Sequence, residues 1–157
     1  MTAEEPARFN GWAVVRGPHV EARLATLRAT VRHLRETLPE AEYRRHPTVK
    51  LFAAITRIIY EVIPSDPNHP DFRLRGALSR YRRVKGHGLP TRYRLFYIFS
   101  SSRKLIIILY VNDDRTLRQE GARSDPYVIF TQLVSQGLIG ADFEANYDLW
   151  KRARPGA

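Results

Sequence analysis

The sequence predicts an α+β fold: a small twisted, mainly antiparallel sheet packed against a helical hairpin, with C-terminal helices. Three observations predict it. Apolar residues recur at three-four spacing between residues 20 and 63. Short apolar runs with strand-like alternation follow between residues 81 and 111. Helical spacing then returns after residue 125. The chain has 157 residues, 43% of them hydrophobic, which suits one core and one domain over 1–157. Residues 1–7 and 153–157 are expected to be flexible ends.

Residues 9–16 read as a strand with Trp12 and Val14 on one face, and Gly17-Pro18 turns the chain. Residues 20–38 read as a helix. Its stripe is Leu24, Leu27, Val31, Leu34 and Leu38; Arg23, Arg28, Arg32 and Arg35 lie on other faces, and Pro39 ends it. A second helix over 47–63 starts on Pro47, a residue suited to the first helical position. It carries Val49, Phe52, Ile55, Ile59 and Val62, widened by Ile58, and pairs with the first as an antiparallel hairpin. Residues 64–70 are a proline-rich connection too short to divide domains. Strands follow at 81–85, 92–100 and 104–111, joined by short connections that suit a meander. The last is apolar on both faces, as a central strand should be. Asp125-Pro126 starts a helix that Gly137 stops, and residues 142–152 form a final helix with Phe143, Tyr147 and Trp150 along one side.

The net charge is +10, and its position matters more than its size. Residues 72–123 hold thirteen Lys and Arg against three acids, and the rest of the chain nets to zero. No carboxylate occurs between Phe72 and Asn112. A surface of that kind fits a polyanion partner better than a solvated face of mixed sign.

Several classes are excluded or disfavoured. The absence of cysteine removes disulfide scaffolds, thiolate metal sites and cysteine nucleophiles. The acidic start does not read as a signal peptide, and the longest apolar run, 105–111, is too short to span a bilayer as a helix. The expectation is a cytoplasmic protein with no membrane partner. The five histidines show no metal-ligand spacing, and no phosphate-binding, dinucleotide-binding or nucleophile-elbow motif occurs, so no cofactor is expected. Asp113-Asp114 in a basic turn reads as a cap or as ion-pair partners of Arg115 and Arg118 rather than a Mg²⁺ site.

Strand alternation puts Arg83 and Lys85 on one face with Val84 turned to the core, and Arg92 and Arg94 on another shared face. A hairpin would gather them, with Arg82 nearby, into a phosphate clamp. Tyr81 and Tyr93 are candidate stacking surfaces for bases, or packing residues. His87, in a glycine-flanked loop beside the clamp, has a suitable intrinsic pKa for proton transfer, or is a plain loop histidine. No basic recognition helix is visible, so direct DNA binding is disfavoured.

The order of elements resembles the RelE-like toxins, and the whole chain over residues 9–148 resembles the YhaV family. The likeness rests on Asn10-Gly11-Trp12-Ala13, Arg83-Val84-Lys85, Arg92-Tyr93-Arg94-Leu95-Phe96, Asn112-Asp113 with Thr116-Leu117-Arg118, Asp125 with Tyr127 and Phe130, and Ala141-Asp142. The resemblance implies a RelE-like fold and the toxin of a type II toxin–antitoxin pair. It implies an endoribonuclease that cuts mRNA on the translating ribosome without a metal. It also implies a cognate PrlF-like antitoxin with an AbrB-type swapped-hairpin end, with DNA reached only through the antitoxin complex. The alternative is a non-catalytic protein that binds RNA or ribosomes and blocks translation.

Metal-free RNA cleavage needs a base for the 2′-hydroxyl, an acid for the leaving oxygen and cations for the pentavalent phosphorus. It yields a 2′,3′-cyclic phosphate. Arginine is a clamp rather than a base. A lysine crowded by arginines has its charged form disfavoured, which singles out Lys85, with Arg83 and Arg94 around it. RelE-like toxins place basic residues at the positions matched by Arg83, Lys85, Arg94 and Arg115; the YhaV-type pattern adds Arg118. The tyrosine that RelE-like toxins often carry six residues after the arginine matched by Arg115 is Gly121 here. Tyr127, at the start of the third helix, is the candidate to fill its place.

Overall fold

The computed structural model describes residues 5–154. The chain begins with a tight hairpin rather than the single expected strand. Arg8–Phe9 (β1) pairs antiparallel with Trp12–Arg16 (β2) across the two residues Asn10 and Gly11. Both have positive φ, 50° and 82°, as a primed two-residue turn demands, and Asn-Gly is the pair that meets this demand most readily. Gly17 follows at a close approach. Its N–H donates to Ile108 O at 2.8 Å, and a Cβ there would lie 3.3 Å from the same oxygen.

Pro18–Thr37 (α1) buries Val20, Leu24 and Leu27, while Val31, Leu34 and Leu38 stay half-buried. A short helix that the pattern did not predict, Glu40–Arg45 (α2), fills the bend after Pro39. Pro47–Arg57 (α3) is capped by His46, whose Nδ1 accepts the Thr48 N–H at 3.1 Å. The expected helix over 47–63 runs on without a break, but residues Ile58–Val62 form a π-helical turn before a last α turn, Ile63–Ser65 (α4). The wider turn shifts the phase of the apolar stripe. Ile55, Ile58, Ile59 and Ile63 are all fully buried in consequence.

The remaining strands are Arg82–Val84 (β3), Leu95–Ser100 (β4) and Leu105–Val111 (β5), in the order β1-β2-β5-β4-β3. The pairing is antiparallel except between β2 and β5, which run parallel, so the sheet is mixed. All seven residues of β5 are buried, which is the price of the central place its composition announced. The two flanking strands are shorter than expected. Residues 92–94 lie outside the ladder, in the loop that leads into β4.

Two cores flank the sheet. Val14, Leu95, Tyr97, Ile106 and Ile108 meet the α1/α3 hairpin. Val15, Phe96, Ile98, Ile107 and Leu109 meet residues of the C-terminal helices Pro126–Ser135 (α5) and Phe143–Ala153 (α6). The C-terminal helices thus form a second layer. Phe96 and Phe130 stack with ring centroids 4.4 Å apart, the closest ring pair of that core. Before α6, Gly140 N–H donates to the buried Asn146 Oδ1, and Asn146 Nδ2 returns a bond to Gly140 O. A Cβ at Gly140 would sit 2.6 Å from Asn146 N. The loose ends expected at 1–7 and 153–157 lie in part outside the described residues, at 1–4 and 155–157, and α6 extends to Ala153. No helix among the described residues is long and apolar enough to cross a membrane.

Candidate active site

The site is built around Phe96. The β3/β4 register sets Arg83 directly opposite Phe96 and Val84 opposite Leu95. Paired residues share a face and lie about 5 Å apart at Cβ. Lys85 stands just past the end of β3 and lines one cleft with Arg83, and Arg94 ends the loop that leads into β4, two positions before Phe96. From the opposite layer, Tyr127 at the first turn of α5 packs its ring edge-on against Phe96, centroids 5.4 Å apart. Arg118 lies over the Tyr127 ring at 5.0 Å.

Two buried side chains hold this arrangement. Asp125, 2% exposed, caps α5 by accepting the Tyr127 N–H at 2.9 Å through Oδ1. Its Oδ2 accepts from Arg118 Nη1 at 2.5 Å and from Gln119 N–H at 2.8 Å. One carboxylate therefore fixes both Arg118 and Tyr127. Asn112, 1% exposed, ties the other side. Its Oδ1 accepts the Arg94 N–H at 2.7 Å, and its Nδ2 donates to Arg92 O and Thr116 O. Arg92 Nε donates to Arg118 O while Arg118 N–H donates to Arg92 O, which ties the loop before β4 to the loop after β5.

The cations differ in how they are engaged. Arg94 Nη1 donates to Thr91 O and Tyr93 O, which curls its guanidinium over its own loop, and its Nε is buried without an acceptor. Arg83 Nε is also buried without an acceptor, and neither Arg83 nor Lys85 has a hydrogen bond or ion pair among the described residues. The Tyr127 hydroxyl is likewise without a hydrogen-bond partner among them. Unpartnered cations beside a free phenol are suited to receiving an anionic, polar ligand.

Other expected residues are placed elsewhere. Arg82 pairs with Tyr97, on the face opposite Arg83. Its Nη atoms donate to Ser79 O, Tyr81 O and Asn68 Oδ1, and its guanidinium lies over Phe99 at 5.4 Å. Tyr81 and Tyr93 do not offer stacking faces. Tyr81 is 3% exposed, edge-on to Phe130, and its hydroxyl donates to Gly140 O. Tyr93 is 5% exposed and donates to Asp114 Oδ1; burial, and then that carboxylate, push its pKa far above the usual phenol range. Arg115 sits exposed on the loop, where its N–H donates to Asp113 Oδ1. Asp113 also accepts from Thr116 Oγ1 and so caps the turn, while Asp114 serves the buried Tyr93 hydroxyl. His87 stands at positive φ, 54°, with its ring edge-on to Phe72 at 5.8 Å. A cleft of about 450 Å³ along the outer side of β3 brings His87 together with Arg83 and Lys85, and with Arg73 and Arg75, which the sequence reading had not singled out. Among the described residues no three His, Cys, Asp or Glu side chains gather as a metal-binding group.

Comparison with known proteins agrees with the residue pattern. A family model described as a toxin with endonuclease activity, of toxin–antitoxin systems, matches residues 14–151. The "Ribonuclease toxin YhaV" of Escherichia coli (strain K12) is 37% identical over 145 residues, covering 88% of this chain and 92% of that protein. The "Toxin YhaV" of Escherichia coli O6:H1 is 36% identical over 146 residues, covering 89% and 92%. Among solved structures, the toxin–antitoxin complex RelBE2 of Mycobacterium tuberculosis aligns at a TM-score of 0.43 and 16% identity, over 69% of this chain and 95% of that one.

Proposed function

Since the chain belongs to the YhaV family of toxin–antitoxin toxins with endonuclease activity, we propose that it is a metal-independent endoribonuclease that cuts mRNA on the translating ribosome. The observation that carries this reading is the cluster around Phe96, where Arg83 and Lys85 stand without a carboxylate or any other partner among the described residues. A scissile phosphate fits such a place, because it supplies the acceptors that these donors lack.

In this reading Arg83 and Arg94 hold the non-bridging oxygens and stabilise the charge that grows on the pentavalent phosphorus. Lys85 takes the proton of the 2′-hydroxyl. That oxygen attacks the adjacent phosphorus, the bond to the 5′-oxygen breaks, and the products are a 2′,3′-cyclic phosphate and a 5′-hydroxyl. Tyr127, whose backbone N–H the Asp125 cap holds and whose ring Arg118 covers, gives the proton of its hydroxyl to the leaving oxygen. Arg92, on the loop before β4, and Arg115, on the loop after β5, are exposed and contact the RNA backbone. His87 lies in the outer cleft rather than around Phe96.

The partner that silences such a protein is its antitoxin. We assign it the PrlF-like class with an AbrB-type DNA-binding end, so that DNA is reached only through the complex. Acidic residues of the antitoxin would cover the cluster, which is the complement that this charge selects. The site of action is the cytoplasm, where ribosomes and mRNA are.

The test adds the purified protein to a translation extract with one defined mRNA and maps new 5′ ends. The same RNA is treated without ribosomes and with EDTA. New ends in the translating sample alone support the full reading. Ends in both samples mean a free, metal-independent ribonuclease. Arrested translation with intact mRNA would overturn cleavage in favour of a protein that binds and blocks.

A further inference from the structure

The cleft on the outer side of β3 has no part in the chemistry described above except through the two residues it shares. Its walls are Phe72, Arg73, Arg75, Arg83, Lys85 and His87. One bridge to Arg82 sets Arg73 one strand spacing outside β3, about 5 Å away, and Arg75 lines the same cleft. Arg73 Nη2 makes a single long bond, 3.4 Å, to Asn68 O, and Arg75 has no hydrogen bond or ion pair among the described residues. One carboxylate, Asp71, stands at the rim, 81% exposed and 3.7 Å from His69 Nδ1. Four cations thus face one acid. Arg83, with its buried Nε lacking an acceptor, and Lys85 belong both to this cleft and to the cluster around Phe96.

The wall next to these cations is aromatic. Phe72 is 5% exposed and backs the exposed His87 ring. Arg57 Nη2 donates to His87 O at 3.3 Å and ties the loop to α3. The exposed ring is an open platform backed by a fixed one.

We propose that this cleft holds the nucleotide next to the scissile one, with Arg73 and Arg75 on its phosphate and its base stacked on His87. The assignment rests on the reading of the Phe96 cluster as the cutting site. A single strand crossing β3 would place one phosphate at the cluster and the neighbouring one between Arg75 and Arg83. A volume of about 450 Å³ lies within the range of small-ligand pockets and accommodates one nucleotide. His87 then acts by its ring face rather than as an acid or base, and Arg73 and Arg75 are binding residues that set the position of the strand.

The experiment measures binding of 2′-O-methyl oligoribonucleotides, which cannot undergo 2′ attack, to the full chain across a range of salt. Arg75→Ala, Arg73→Ala, His87→Ala and His87→Phe are compared with the parent. Arg75 and Arg73 are exposed, so their removal leaves the core untouched. Arg75→Ala and Arg73→Ala should each weaken binding severalfold and lower the salt slope by about 0.7, the loss of one phosphate contact on a single strand. His87→Ala should weaken binding at least about fivefold while His87→Phe retains it, because stacking tolerates any ring. Unchanged affinity and slope in the arginine variants would overturn the phosphate assignment. A His87→Phe variant as weak as His87→Ala would overturn the stacking assignment. Cleavage of translated mRNA by the parent protein is scored separately. Loss of affinity in the variants with no cleavage by the parent supports the cleft and rejects the nuclease reading. Cleavage by the parent with no effect of the variants rejects the cleft alone.

Discussion

Lys85 and Asp125 separate chemistry from support at the scale of single residues. Lys85 is exposed and without a partner among the described residues, so Lys85→Ala removes nothing that holds the fold. We expect cleavage to fall by about 10²–10⁴, the usual contribution of a general acid or base, with an unchanged melting temperature. Full activity in that variant would remove Lys85 from the mechanism. Asp125→Asn is expected to act differently. It removes the charge that accepts from Arg118 and disturbs the cap of α5, so stability should drop by about 1–3 kcal/mol along with activity, read by denaturant unfolding. That Arg83 and Val84 point to opposite faces was legible in the sequence, because a strand alternates its side chains with period two; Lys85 stands just past the end of β3. The places of Tyr81 and Tyr93 were not legible. An aromatic residue among basic ones has the same composition whether it stacks on a ligand or on Phe130, and only the tertiary packing decides. Arg73 and Arg75 were silent for the same reason, since the bridge between Arg73 and Arg82 is not a local feature.

Among the elements, the sequence told most about the two helices of the hairpin and the central strand, and least about pairing partners. Leu24, Leu27 and Ile55 sit in the core where three-four spacing put them, and β5 is buried on both faces as its composition required. The parallel pairing of β2 with β5 joins residues some ninety positions apart, and no local pattern encodes it. The Asn10-Gly11 turn was written in the sequence, as the most direct short hairpin signal there is, but the strand before it has only two residues, so the segment reads as one run. Gly11 stands at φ 82° with open space where a Cβ would go. Gly11→Val should therefore cost about 1–2 kcal/mol from the left-handed backbone alone, measured by thermal unfolding, and leave the Phe96 cluster intact. An undiminished melting temperature would mean that the turn does not hold this backbone. Phe96 joins structure to site, because it stacks on Phe130 and supports Tyr127. Phe96→Ala should lose about 3–5 kcal/mol, as large aromatic truncations in a core do.

The whole molecule is governed by charge and by buried phenols. Four tyrosines, Tyr81, Tyr93, Tyr97 and Tyr110, have pKa values raised above 10.0, in each case chiefly by burial. The unfolded chain releases those protons first as pH rises. The stability they contribute is therefore complete below pH 10 and lost as pH climbs beyond it. A melting temperature that holds steady from neutral pH to pH 9 and then falls, with the tyrosinate absorbance of these four side chains appearing only on unfolding, is the expected result. A third of the chain, residues 72–123, carries the whole net charge of +10 and the rest nets to zero, so association with an acidic antitoxin should weaken steeply with salt. Equal affinity at low and high salt would show that the basic surface is not what the antitoxin covers.

The central claim is that the cations around Phe96 cut RNA by way of the 2′-hydroxyl. The most direct measurement is mass spectrometry of the 3′ ends left on a defined mRNA after treatment in a translating extract, for the parent protein and for Lys85→Ala. The account predicts 2′,3′-cyclic phosphate ends with the parent and their near disappearance with the variant. Free 3′-hydroxyl ends, or cyclic ends at equal yield from Lys85→Ala, would contradict it.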